Sequence, residues 1–266
     1  MKRIFVFLLI AGWSTMFTSG QIKETRQVSG FTGINASSAF DITVVKGSEE
    51  SLVIEADSEA MPFVCSEVRK GVLHLYLKNN GKVKNIKTLK ASVVMKNMDY
   101  VSLSGSCKFV SNDLFTSDMF TGNLSGASHL TIHVSTGKLN VDGSGACKIR
   151  MKAKVAGNTK IDLSGASNIQ GELEAADVIF NLSGSCSVDL TGSASDARID
   201  AAGATNFKIG DFELKNATIT SSGSSKITVN VSDQLKINSS GASSVQYKGS
   251  PKIQMNTSGA SKINSI

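Results

Sequence analysis

Apolar and polar positions alternate through most of this chain, and the alternation is punctuated at fixed intervals. Nine segments are versions of Ser-Gly-(Ala/Ser)-(Ser/Cys)-x-apolar, centred on Gly105, Gly126, Gly145, Gly165, Gly184, Gly203, Gly223, Gly241 and Gly259, with gaps of 18 to 21 residues. With each glycine as position 0, position +4 is Phe109, Leu130, Ile149, Ile169, Val188, Phe207, Ile227, Val245 and Ile263, apolar in every copy. Position −4 is apolar in eight of nine copies, Gly122 being the exception, and positions −6 and +6 follow in most. Period 2 on both sides of a glycine predicts two half-buried strands meeting at a tight turn; helical spacing would place apolar residues three and four apart and does not fit. A unit of about 20 residues cannot bury its own apolar face, so the units stack, each strand pairing with its equivalent about 4.8 Å away. The expected fold is an all-β, single-stranded parallel β-helix solenoid with coils of about 20 residues. The leucine-rich and calcium-binding nonapeptide repeats need spacings that are absent.

The phrase itself reads as a corner. Glycine supplies a positive φ where the chain turns inward. Position +2 holds Cys107, Ser128, Cys147, Ser167, Cys186, Thr205, Ser225, Ser243 and Ser261, a column of small groups able to hydrogen-bond along the axis and to corner backbone. An exported chain with four cysteines invites a disulfide framework. The repeat argues otherwise. Cys107, Cys147 and Cys186 fall on alternate coils, about 9.6 Å apart, and a disulfide needs Cα atoms within about 7 Å. They read as small buried fillers, and Cys65 has no evident partner.

The ends differ from the middle. Lys2 and Arg3 precede an apolar run from Ile4 to Gly12, and Thr18-Ser19-Gly20 supplies small residues, so residues 1–20 read as a signal peptide cleaved after Gly20. No other stretch is long and apolar enough to span a membrane. Residues 21–98 are strand-like but irregular, with Ser37-Ser38-Ala39-Phe40 a degenerate corner and Gly47, Gly71 and Asn79-Asn80-Gly81 as turns. They read as the first coils, closing that end of the stack. Residues 99–266 form the regular helix. Nothing after Ile263 caps the last coil, so end-to-end self-association or a partner is expected there.

Phe31-Thr-Gly-Ile-Asn35, then Phe40-Asp-Ile-Thr-Val44 and Leu52-Val-Ile-Glu-Ala56, resemble the opening of the head GIN domain family of auto-transporter adhesins. The Leu-Ser-Gly-Ala-Ser phrases at 124–128 and 163–167 match the rest of it. The resemblance spans nearly the whole chain after residue 20. It implies a right-handed β-helix exported to the periplasm or cell surface of a Gram-negative bacterium, and it supplies no catalytic residues. The chain lacks a translocator barrel after Ile263, which argues against self-transport.

Composition adds little to this. Without Lys2 and Arg3 the formal charge falls from +6 to +4, and no basic-aromatic patch exists, so nucleic acid is a poor partner. A weak attraction to anionic glycans is compatible with the charge, but an ordinary solvated surface is the better explanation of it. The outward columns carry the candidate chemistry. Position −3 reads Ser102, Asn123, Asp142, Asp162, Asn181, Asp200, Thr220, Asn238 and Asn256. Asp142 and Asp162 would stand on adjacent coils, able to perturb one carboxyl or hold calcium; the plain alternative is a polar ladder beside a turn. Position +3 includes Lys108, His129, Lys148, Lys226 and Lys262, a mildly basic strip. No nucleophile–histidine–acid set, metal motif or phosphate loop occurs, and a serine repeated nine times is not a catalytic elbow. The expected protein is a non-enzymatic envelope rod binding glycans or another surface component through Asn123, Asp142, Asp162, Asn181, Asp200, Lys108 and Lys148, with no cofactor. The alternative is a carbohydrate-active enzyme using Asp142, Asp162 and Asp200.

Overall fold

The structure is a computed structural model that describes residues 20–78 and 85–266. The targeting segment and the Asn79-Asn80-Gly81 turn expected from the sequence lie outside the described residues. The described strands join a single sheet wound into a β-solenoid of about nine turns.

Short strands open the chain: β1 (Gln21–Arg26), β2 (Gly33–Ala36), β3 (Asp41–Lys46), β4 (Ser51–Asp57), β5 (Val64–Arg69), β6 (Val72–Leu77) and β7 (Leu89–Met95). β2 and β3 meet at the degenerate corner, where Ser38 takes a φ of +83°. Chain order and stacking order then part. β6 and β7 lie parallel to β2 and β3 on the outer side of that coil, although they follow it in sequence. Antiparallel strands cover them in turn: β5 on β6, β4 on β7, and β1 on β4. Stacking order at this end is therefore not chain order. The β5–β6 hairpin explains part of the difference, because Lys70 and Gly71 both take positive φ, the geometry of a tight two-residue antiparallel turn.

On the inner side of the β2–β3 coil the regular stack begins. Its strands are β8 (Tyr100–Leu103), β9 (Lys108–Leu124), β10 (His129–Gly143), β11 (Lys148–Val155), β12 (Asn158–Leu163), β13 (Asn168–Gly184), β14 (Ser187–Gly203), β15 (Asn206–Gly223), β16 (Lys226–Ser239), β17 (Ser244–Lys248), β18 (Lys252–Thr257) and β19 (Lys262–Ser265). Every pairing from β8 onward is parallel. The position +4 side chains form one register-matched ladder from Ile42 through Phe109, Leu130, Ile149, Ile169, Val188, Phe207 and Ile227 to Val245. All are fully buried. The −4 ladder runs parallel to it, and Phe180 and Phe207 meet edge to face across the core, 4.9 Å between centroids. Each such side chain contributes about 1.5–3 kcal/mol by leaving water. The burial stops at the last coil, where every residue of β18 is exposed and Met255, a −4 residue, is 54% exposed.

The corners explain the invariance of the phrase. All nine glycines take φ between +71° and +97°. A Cβ on any of them would stand 2.4–2.7 Å from a carbonyl oxygen of the corner before it. That oxygen accepts from the N–H of the residue after the glycine, at 2.7–2.9 Å, so the backbones are already in contact. The position +2 side chain donates within its own corner, to the carbonyl three residues earlier, in all nine copies at 2.9–3.5 Å. Some, such as Ser167 and Ser225, also reach the glycine carbonyl of the coil before. Cysteine makes the same bond as serine, and all four cysteines are free thiols. Burial pushes the thiols of Cys107, Cys147 and Cys186 up, away from the reactive thiolate.

Two substitutions separate these roles. Gly165→Ala puts a side chain where backbone already stands and destabilises by about 2 kcal/mol or more. Cys147→Ser keeps the corner bond and costs about 1 kcal/mol or less. Urea unfolding of the two variants checks both, and a Gly165→Ala protein as stable as Cys147→Ser would contradict the corner geometry.

Candidate functional site

Residues two apart on a strand share a face, so positions −3 and −5 both point outward before the corner and +3, +5 and +7 point outward after it. Parallel pairing in register turns each position into a ladder. The −3 ladder runs without a break from His74 and Asn35 through Ser102, Asn123, Asp142, Asp162, Asn181, Asp200, Thr220 and Asn238 to Asn256. Asp142 and Asp162 are thus adjacent, as their spacing predicts. Asp200 is separated from them by Asn181, so the three carboxylates do not converge. The ladder lines a groove of about 710 Å³ between the strand and the corner, open to solvent and bounded by Ser125, Ser144, Ser164 and Ser183 on the corner side.

Two of the three carboxylates carry their own counter-ion. Lys160 Nζ reaches Asp162 Oδ2, and Arg198 Nε donates to Asp200 Oδ2 at 2.8 Å. Both cations sit at −5, a two-residue spacing visible in the sequence and missed there. Asn181 Nδ2 also donates to Asp162 Oδ1 at 2.6 Å. Burial pushes the Asp162 carboxyl up, but the Lys160 and Asn181 hydrogen bonds outweigh it and leave the group below its usual range. Asp142 has Asn140 at −5 instead of a cation. Its carboxyl is pushed up, first by burial, then by the Asp162 charge and a hydrogen bond shared with Asp162.

After the corner the chemistry changes sign. Lys108, His129 and Lys148 are neighbours on the +3 ladder, with Asp41 beyond Lys108 at 3.8 Å. Sequence reading stopped at this column. The structure extends it, because every outward residue of β11 is basic: Lys148, Arg150, Lys152 and Lys154. The strict alternation of Lys148-Ile-Arg-Met-Lys-Ala-Lys-Val155 was the available signal. Lys152 and Lys154 pair with Glu172 and Glu174 of the next coil, at 2.7 and 3.5 Å. Lys148 and Arg150 have no ion-pair partner among the described residues, their neighbours in that coil being Asn168 and Gln170. His129 is held below its usual range by burial, then by Lys148, Lys108 and Arg150. Among the described residues no group of three or more His, Cys, Asp or Glu side chains is placed to hold a metal ion.

The family model described as "Putative auto-transporter adhesin, head GIN domain" matches residues 30–157 and 144–251. The chain belongs to the head GIN domain family. Solved structures share the head GIN solenoid along almost their whole length. A "putative adhesin" from Parabacteroides merdae aligns with a TM-score of 0.69 at 18% identity, over 94% of this chain and 97% of that one. A "Putative lipid binding protein" from Parabacteroides distasonis aligns at 0.67 and 18% identity, over 94% and 98%. At these identities they share the fold. No curated protein matches the chain. No helix among the described residues of this head GIN protein is long and apolar enough to cross a membrane.

The Asp142–Asp162 pair has a pH signature. With its carboxyl raised in the folded protein, Asp142 contributes stability below its ordinary value of 3.8, and that contribution is lost as pH rises through the raised value. Asp142→Asn removes the loss, so the variant melts higher than the parent at pH 7, on the order of 1–3 °C, and the two converge near pH 3. Thermal melts across that range check it; a variant that melts lower at neutral pH refutes the raised carboxyl.

Proposed function

We propose that this head GIN protein is an exported, non-enzymatic, adhesin-type rod that holds a glycan chain along its outward ladders. The observation that carries this reading is the groove, whose −3 ladder repeats hydroxyl, amide and carboxylate groups once per coil, about 4.8 Å apart. Such a row offers an extended, hydroxyl-rich polymer many weak hydrogen bonds in register, and their sum gives avidity without a deep pocket. Asn123, Asp142, Asp162, Asn181 and Asp200 would carry those contacts, with Lys108 and Lys148 on the face beyond the corner. The family's description as auto-transporter adhesins supports export and surface function.

The geometry favours binding over the enzymatic alternative. Glycosidase carboxyls stand about 5–5.5 or 6.5–9.5 Å apart with the sugar between them. Asp142 and Asp162 are register partners on adjacent coils, about 4.8 Å apart along the ladder, and Asp162 and Asp200 are engaged by Lys160 and Arg198. End-to-end pairing of two copies through the last coil belongs to the same proposal, supported by the exposed Ile253 and Met255 and by the free edges of β18 and β19.

A glycan array probed with the full-length protein is expected to give hits that weaken about tenfold in Asp162→Ala and Asn181→Ala. Turnover of a polysaccharide that is lost in Asp142→Ala would replace the adhesin reading with the enzyme. Sedimentation at rising concentration is expected to show a dimer that Met255→Lys disrupts; a monomer throughout removes the end-to-end contact.

A further inference from the structure

The face beyond the corner holds a feature that the groove does not explain. β9 and β10 lose register between Thr131 and His133: Val110 faces Thr131 and Leu114 faces His133, so three residues of β9 stand against Ile132 alone. Such a bulge re-aims side chains and breaks the sheet surface. A depression of about 400 Å³ opens beside it, lined by Ser111, Thr131, His133, Arg150, Lys152 and Gln170 among others. Ser111 is 1% exposed, and its hydroxyl has no hydrogen-bond partner. A buried hydroxyl left unpaired costs about 1–3 kcal/mol and calls for an explanation.

We propose that this depression binds the anionic groups, carboxylate or sulfate, of an acidic polysaccharide lying across β9, β10, β11 and β13. Arg150 offers a planar fork matched to a carboxylate or sulfate. It has no carboxylate partner of its own, since Gln170 is its neighbour in the next coil and Asp189 lies one coil further. Lys152 is shared with Glu172 and Lys108 with Asp41, while Asp113 is occupied by the Lys46 amide. Arg150 is thus the cation of the depression without a carboxylate of its own, and Lys148, likewise without an ion-pair partner among the described residues, stands beside it on the same strand. This rests on the reading of the protein as a glycan binder and names the chemistry of its ligand.

Calorimetric titration of the full-length protein with oligogalacturonate, heparin-derived oligosaccharide and neutral maltooligosaccharide tests it. Both acidic chains are expected to bind at least about tenfold more tightly than the neutral one and to weaken as salt rises. Arg150→Gln is expected to lose about tenfold for the acidic chains. Ser111→Ala is expected to melt no lower than the parent, since it removes an unpaired buried group. Lys236→Gln, outward on β16 away from the depression, leaves affinity unchanged. Neutral and acidic chains bound equally, or Arg150→Gln without effect, overturns this inference and leaves the glycan reading standing. Equal losses in Lys236→Gln show diffuse charge instead of a site and also overturn it. Binding to phosphatidylglycerol vesicles but to no polysaccharide overturns both.

Discussion

The contact on which the whole structure depends is backbone against backbone at the corner. The carbonyl oxygen of each corner glycine accepts the amide that follows the next glycine, at 2.7–2.9 Å, and occupies the place a Cβ would need. Strand spacing in a parallel stack is set by hydrogen bonding at about 4.8 Å. A chain that turns sharply inward at that spacing, with positive φ, has room for glycine alone. Once the corner is set, each coil must return to it. The side chains on either side then fall into columns, and a column is either wholly inward or wholly outward. Ser, Thr and Cys at +2 serve the same geometry from the inside, tying the turn to its own carbonyl.

Columns make this protein's surface chemistry repetitive and also divide it. Before the corner the outward positions pair within a strand, Lys160 with Asp162 and Arg198 with Asp200, so the −3 ladder stays close to neutral and presents hydrogen-bonding groups. After the corner the charges pair between coils, Lys152 with Glu172 and Lys154 with Glu174, and where the next coil offers Asn168 and Gln170 the cations remain uncompensated. Exposed ion pairs of this kind contribute little to stability. Their effect is on the field a ligand meets. Two faces of different character, separated by one turn, suit a rod that contacts extended polymers more than an enzyme that encloses a small substrate.

Much of the fold was legible because a solenoid converts sequence period directly into contact. Ile149 and Ile169 are register partners because both stand four residues after their glycines, and Asp142 meets Asp162 for the same reason. The candidate residues of the −3 column all reached one groove. The bulge at Ser111 was only partly legible: the gap of 21 residues from Gly105 to Gly126, against 19 in the next coil, contains two extra residues, but the sequence does not say where along β9 they fall. The partnership of Lys160 with Asp162 lies along one strand, at a two-residue spacing that the repeat between coils does not express.

The sequence by itself determined the corner, the coil length, the inward ladders and the identity of the outward columns, all consequences of local sterics and period-2 burial repeated at a fixed interval. Only the tertiary structure decided how the irregular first part is arranged. β6 and β7 stack outside β2 and β3, and β1, β4 and β5 run antiparallel over them. Strand edges are chemically alike, and which edge pairs with which follows from chain connectivity and the shared burial of Ile42, Leu52, Ile54, Leu73 and Val93 in one core. The same holds for the basic depression. Its residues come from four coils, and the depression lies beside a register shift that exists only once the coils are stacked.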